Sequence, residues 1–374
     1  MRIHRELAAI PAAQWDALLA GDSYPFARHA FLAALERTGC VGGETGWDPT
    51  HVCLYERGAL VAAAPLYLKS HSYGEYVFDW AWADAYHRHG VAYYPKGLVA
   101  IPFTPVPGAR LLARDEAARR ALAAALLATA RQLRLSSLHV LLPREADAAA
   151  LADGGMMKRR GVQFHWHNPG FADFDDYLAS LTQPKRKKIR AERRKVAQAG
   201  IAVDVLEGPQ IADSDWRLFH RCYRNTYALH HSTPYLNLRF FRELGESMPS
   251  HVVLFVARRA GGEPVAASLL LRDSEAIYGR YWGALEYVDS LHFETSYYRP
   301  IEYAIAHGLR RFEGGAQGEH KMARGFEPVP TCSFHWLAHP AFADAVERFL
   351  QRESGGIDAY LDELAERLPI RARS

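Results

Sequence analysis

The sequence predicts an α/β fold of two domains with mixed sheets, and three observations carry that expectation. Its 374 residues exceed one ordinary domain and suit about two, at roughly 150 to 200 residues each. Short β-rich runs recur in a fixed order: HVCLY at 51–55 and HVVLF at 251–255, LVAAAPLYL at 60–68 and PVAASLLL at 264–271, YVFDWAW at 76–82 and AIYGRYW at 276–282, and FHW at both 164–166 and 334–336. Between these landmarks each half carries helical sequence followed by a further strand, which is the make-up of a layered α/β domain. The expected division is 1–168 and 169–374.

In each copy the first two runs are joined by a turn, ERGA or ARRAGGE, and read as a hairpin, with the aromatic run as a third strand. Asp115 is placed to cap a helix running to about Arg134, ahead of the strand LHVLLP at 138–143. The run QPKRKKIRAERRKVAQAG predicts a helix over 184–198. Pro184 suits a first turn, Gly200 an end, and Ile189 and Val196 lie seven apart on one apolar stripe. A helix across Tyr297–His307 has apolar residues at 297, 301, 304 and 305 and stops at Gly308, before the strand LRRFEG. Pro300 inside it predicts a kink or a late start.

Composition excludes several classes. Apolar residues at 49 % and charged ones at 23 % are an ordinary globular balance, and a net charge of +3 makes any basic function local. The first twenty residues lack a basic segment leading into an apolar run. The longest apolar run, ALAAALLATA at 121–130, is fenced by Arg119, Arg120 and Arg131 and is too short for a membrane span. Four scattered cysteines without a CxxC fit reduced thiols. These features lead to the expectation of a soluble, cytoplasmic protein.

The segment FEGGAQGEHKMARGF at 312–326 gathers four glycines with Glu313, Gln317, Glu319, His320, Lys321 and Arg324. A core strand does not tolerate such charge, nor a helix so many glycines, so this is a loop that brings backbone and titratable groups to a ligand. Glu319 or His320 is suited to take a proton, with Glu319 the first choice. Gly315, Gln317 and Gly318 offer close backbone approach, and Lys321 and Arg324 can hold a phosphate, a carboxylate or an oxyanion. A solvated surface turn is the plainer alternative. Eight of the eleven residues from Lys185 to Lys195 are basic, and Arg186, Arg190 and Arg193 are assigned to a polyanionic donor. A tRNA acceptor end, anionic lipid headgroups and an unspecific solvated face stand as alternatives. Asp79, Asp84, Tyr94 and Lys96 in DWAWADAYHRHGVAYYPKG, with Tyr281 and Trp282 of the second aromatic run, are the candidate substrate contacts. The pairs His87/His89 and His165/His167 have strand spacing but no third ligand nearby, so no metal is expected.

The element order, a meander and then helix–strand–helix–strand, resembles the GNAT (acyl-CoA N-acyltransferase) fold occurring twice. The segments YYPKGLVAIPFTPVPGARLL at 93–112 and GAQGEHKMARGF at 315–326, with the final FHW, resemble the FemAB-like N-acyltransferases of peptidoglycan biosynthesis and recognition. The resemblance covers nearly the whole chain. It implies two tandem GNAT-type domains and transfer of an acyl group from a thioester donor, acyl-CoA as co-substrate, to a small-molecule or lipid primary amine by direct attack. The usual GNAT donor signature is missing from both halves; GALEYVDSLHFE at 283–294 occupies its place in the second. The alternatives are an aminoacyl-tRNA-dependent Fem-type transferase and a non-catalytic GNAT-like binding module. Among partners, tRNA ranks below a thioester, and peripheral contact with an anionic membrane is compatible with the basic helix.

Overall fold

The computed structural model describes residues 1–19, 21, 24–316 and 318–369. Its strands are β1 Arg2–His4, β2 Trp47–Pro49, β3 His51–Glu56, β4 Ala59–Ala64, β5 Leu66–Lys69, β6 Lys96–Val99, β7 Leu112–Ala113 and β8 Ser137–Leu141. There follow β9 Met157–His167, β10 Ile201–Glu207, β11 Val252–Arg259, β12 Pro264–Arg272, β13 Ala276–Ala284, β14 Arg311–Glu313 and β15 Glu327–Leu337. The chain forms two compact units. The first comprises Met1–Val162 and Pro330–Leu361; the second comprises Gln163–Val329 and the described residues from Asp362 onward. The chain thus passes from one unit to the other three times, where the expected division had a single boundary at 168/169. Among the described residues no helix is long and apolar enough to cross a membrane.

In the first unit β1, β3, β4 and β7 form one sheet, and β15, β8, β6, β5 and β2 are neighbours in a second arrangement. Strands β6 and β8 run parallel, joined through the helix Glu116–Gln132. Asp115 caps that helix as expected, accepting from the Ala118 amide at 2.8 Å. Its Leu122, Leu126 and Ala130 pack on Val52, Ala62, Leu66, Val99, Leu138 and Val140. One element departs from expectation. YVFDWAW is not a strand: residues 76–79 are irregular and Trp80–Arg88 is a helix. Trp82 and Tyr86, four apart and therefore on one helical face, are buried, and that interior contact outweighs the strand preference of aromatic residues. The hairpin β3–β4 also ends at Pro65, after which β5 pairs with β2 and β6 instead of continuing a meander.

In the second unit the order is β10-β11-β12-β13-β14-β9. Strands β11, β12 and β13 form the expected meander, and β13 and β14 are parallel, paired only at 276–278 with 311–313. Between them the helical segment runs Leu291–Phe293, a π turn Glu294–Tyr298, and Arg299–Ala306. Pro300 sits in the first turn of the last piece, where its missing N–H removes one ladder bond, and the widened turn lies just before it. The basic helix spans Gln183–Gln198, with Ile189, Glu192 and Val196 buried along one stripe.

The helix Asp213–Leu229 is seated on β13 through backbone contact. Thr226 Oγ1 donates to the Trp282 carbonyl at 2.9 Å and Asn225 Nδ2 to that of Ala284 at 2.6 Å. A Cβ at Gly283 would stand 2.0 Å from the Cys222 carbonyl oxygen, so only glycine fits there. Gly283→Ala is expected to cost about 1–3 kcal/mol or more, read as a fall in thermal midpoint of about 2–4 °C per kcal/mol. Gly261→Ala, where an added Cβ meets nothing within 4 Å, is expected to leave the midpoint unchanged.

Candidate active site

The three residues of β14 alternate across the sheet. Phe312 enters the core beside Phe326, with ring centroids 5.3 Å apart, while Arg311 and Glu313 share the opposite face. Arg311 Nε donates to Glu313 Oε1 at 2.8 Å. The other oxygen, Oε2, lies 3.7 Å from Nε2 of His165, the residue directly across the β14–β9 pair. Among the described residues neither of those two atoms has a hydrogen-bond partner, although Glu313 is 3 % and His165 5 % exposed. Burial pushes the Glu313 carboxyl up to about 7 against the pull of Arg311. Burial likewise lowers His165 to about 3, helped by Arg311, His167 and Lys321. A carboxyl that exchanges its proton near neutrality therefore faces a neutral imidazole.

After β14 the chain runs through a loop and one 3₁₀ turn, Glu319–Arg324. Gly315 and Gly318 have φ of 85° and 121°, conformations open to glycine at no steric cost. Lys321 is buried; its Nζ donates to the Gly315 carbonyl at 2.8 Å, and burial lowers its ammonium to about 8. Arg324 is also buried and fully committed. Its Nε donates to Tyr298 Oη at 3.0 Å, Nη1 to the His320 carbonyl at 3.0 Å and Nη2 to Glu192 Oε2 at 3.1 Å, and its guanidinium carbon stands 3.6 Å from the Phe293 ring centroid. His320 is exposed, with Nε2 3.1 Å from Tyr297 Oη; partial desolvation and the charges of Lys321 and Arg324 lower its pKa. Glu319 is exposed and pairs with Arg367 at 3.4 Å. Gln317 lies outside the described residues.

The basic helix divides its cations between two tasks. Arg193 is held inside by Glu294 at 3.0 Å and by Glu302, over the Phe174 ring at 4.5 Å. Arg186 and Arg190, with Gln183, Lys187 and Arg194, line an outward cavity of about 460 Å³, and Arg190 also meets Asp175 at 3.0 Å. Tyr281 and Trp282 serve opposite faces of β13: Tyr281 packs on Tyr223 and Phe241, whereas Trp282 Nε1 donates to Thr295 Oγ1 at 2.8 Å.

In the first unit Asp79, Tyr94 and Lys96 do come together. Lys96 Nζ, wholly buried, donates to Ser72 Oγ at 2.7 Å, to Glu75 Oε2 at 2.8 Å and to Asp79, and Tyr94 Oη is 2.8 Å from Ser72 Oγ. Burial raises the Asp79 carboxyl, but Lys96 more than reverses this and holds it well below the usual carboxylate range. Asp84 is not part of the group: it is exposed and pairs with Arg88 one turn on, at 3.0 Å.

Sequence reasoning missed the Glu313–His165 pair and the inward turn of Glu192. A signal for the first existed in the FHW repeat. Its two histidines occupy matching places, His165 opposite Glu313 on β14 and His335 opposite His139 on β8, with His139 and His335 Nδ1 atoms 2.7 Å apart.

A sequence model of the FemAB-like family, described as peptidoglycan biosynthesis/recognition, matches residues 6–372. The chain belongs to the FemAB-like family. Solved structures share its fold. The crystal structure of FemX is 13 % identical, covering 93 % of this chain and 100 % of its own, with a TM-score of 0.55. The C-terminal domain of a putative lysylphosphatidylglycerol synthetase from Agrobacterium fabrum is 10 % identical over 91 % and 96 % of the two chains, at 0.56. L-PGS from Bacillus licheniformis is 12 % identical over 94 % and 99 %, at 0.54. At such identities the likeness is one of fold alone, and the expected α/β make-up with mixed sheets is present in each unit. No curated protein sequence matches the chain.

The Glu313 carboxyl gives this FemAB-like protein a specific pH signature. Its folded pKa is raised from 4.5 to about 7, so its contribution to stability is fully present below about pH 4.5 and is lost as pH rises through about 7. Urea unfolding of the wild type and Glu313→Gln across that range should show the wild type losing stability relative to the variant between those values, with a constant difference above about pH 8. A difference that is constant throughout would mean an ordinary carboxyl.

Proposed function

We propose that this FemAB-like protein is an N-acyltransferase that moves an acyl group from a thioester donor, acyl-CoA, to a primary amine. The observation that carries the reading is the buried Glu313 carboxyl at the C-terminal end of β14, with a pKa near neutrality and one oxygen that has no hydrogen-bond partner among the described residues. Acyl transfer to an amine needs a base for the ammonium proton, a cation or N–H groups for the developing oxyanion, and a hold on the donor. Glu313 takes the proton; the freed nitrogen lone pair attacks the thioester carbonyl; and the Lys321 ammonium, lowered to about 8, faces the oxyanion. Collapse of the tetrahedral species breaks the C–S bond; its nitrogen gives up a second proton, which passes to the leaving thiolate, while the first leaves Glu313 for solvent. Gly315 and Gly318 let the loop backbone approach the donor, and the outward cations Arg186, Lys187, Arg190 and Arg194 receive its phosphates. Glu319, the first choice of the sequence, is exposed and bound to Arg367, so the base is assigned to Glu313 and His320 is kept as the second candidate.

The second reading is an aminoacyl-tRNA donor. It is favoured by the outward cation row and by the fold shared with FemX and the lysylphosphatidylglycerol synthetases. Incubating the purified chain with acyl-CoA or with aminoacyl-tRNA, each beside a panel of primary amines, and detecting amide products by mass separates the two. Product from neither donor would leave a binding module. With the active donor, Glu313→Gln should lower turnover about 10²- to 10⁴-fold with donor binding retained. A wild-type rate in that variant, with loss in a Glu319→Gln/His320→Ala double variant, would return the base to the 3₁₀ turn. Lys187→Ala/Arg194→Ala should raise the donor Michaelis constant and flatten its salt dependence, because screened Coulomb attraction has been removed.

A further inference from the structure

One acid interrupts the basic run and turns inward. Glu192 is 7 % exposed and shares the buried stripe of Ile189 and Val196. Its Oε2 accepts from Tyr298 Oη and from Arg324 Nη2 at 3.1 Å, and its Oε1 lies 3.9 Å from Lys188 Nζ. Tyr298 ends the π turn, and Arg324 ends the 3₁₀ turn that holds Lys321. Within the second unit, three pieces of chain from different parts of the sequence therefore meet at one carboxylate.

The strength of this junction follows from burial. Arg324 is 3 % exposed, and Glu192 is the acid paired with its guanidinium. A buried ion pair adds little net stability, but removing one partner is costly because the other charge is left uncompensated. Next to it Arg193 fastens the same helix to Glu294 in the π turn and to Glu302. The helix is thus locked on its inner side, while Arg186, Arg190 and Arg194 look outward on the same rigid rod.

We infer that Glu192 is a positioning residue, which ties the anion-receiving helix to the Lys321 turn through Arg324 and Tyr298. The inference rests on the reading of 311–326 as the reacting site. In this arrangement the outward cations bind the donor, and Glu192 fixes where the reacting turn stands relative to it. A misplacement of about 1 Å in such a constellation can cost 10²-fold in rate.

Glu192→Gln keeps the size of the side chain and an acceptor oxygen but removes the charge; Glu192→Asp keeps the charge on a shorter stem. Hydrogen exchange followed by mass spectrometry, on the full chain at a temperature where each variant is folded, reads the turn directly. Amides across 319–326 should exchange at least about tenfold faster in Glu192→Gln, with Glu192→Asp intermediate and the first unit unchanged. With the active donor, turnover should fall about 10- to 100-fold while the donor Michaelis constant stays within about twofold. Tyr298→Phe, which removes one of the two donors to Glu192, should show the same pattern more weakly. Wild-type exchange at 319–326 in Glu192→Gln would overturn the inference, as would a loss expressed only in the donor Michaelis constant. If Glu313→Gln turns over at the wild-type rate, the assignment of the base falls, and the exchange result still decides the role of Glu192.

Discussion

A strand of only three residues sets the geometry of the second unit. Arg311–Glu313 is held on one side by parallel pairing to β13 and on the other by antiparallel pairing to β9. This double anchoring leaves no freedom in which side chain faces which way: a one-residue slip would send Phe312 among the charges and Glu313 into the aromatic core. The chain then leaves through Gly314 and Gly315, with Lys321 packed against the backbone at Gly314. Everything assigned to chemistry here depends on where that short strand stops.

Both units bury charge, and among the described residues each holds a carboxyl raised to about 7 with one oxygen lacking a hydrogen-bond partner, Glu75 in the first and Glu313 in the second. In the first, Lys96 is surrounded by Ser72, Glu75 and Asp79, and the network continues through Tyr93, which donates to Asp79 at 2.6 Å, to His139 and His335. Burial raises Glu75 to about 7 and lowers Lys69, over the Trp47 ring at 3.8 Å, to about 7, yet Asp79 stays ionised against Lys96. Such a set orders a core at the expense of net stability. In the second unit, at the place matching His139, Glu313 has Arg311 on one oxygen, while the other, 3.7 Å from His165 Nε2, has no hydrogen-bond partner among the described residues. The repeat conserves the position and changes the chemistry.

Much of the fold was legible because local rules and long-range packing agree. The Asp115 cap, the stripe of Ile189 and Val196, the irregular turn just before Pro300 and the β11–β13 meander all follow from spacing and residue type. The first copy of the aromatic run failed because strand preference reports half-buried surface, while Trp82 and Tyr86 are placed by a helical contact. Of the site, the 312–326 loop and its glycines were legible, but the partners were not. Nothing local says that Glu313 lies across from His165, or that the single acid of a basic helix faces Arg324. Charge density marks a segment as polar; only register tells which of its charges are spent on the fold. Arg193 and Arg324 are spent in that way, and Arg186 and Arg190 look outward.

The central claim, that one buried carboxyl of the second unit is poised near neutrality, is open to direct observation. With glutamate carboxyl carbons labelled by ¹³C, the resonance that disappears in Glu313→Gln identifies the group, and its shift can be followed against pH. A midpoint near 7 is the predicted result. A midpoint near 4.5, the ordinary glutamate value, would contradict the account.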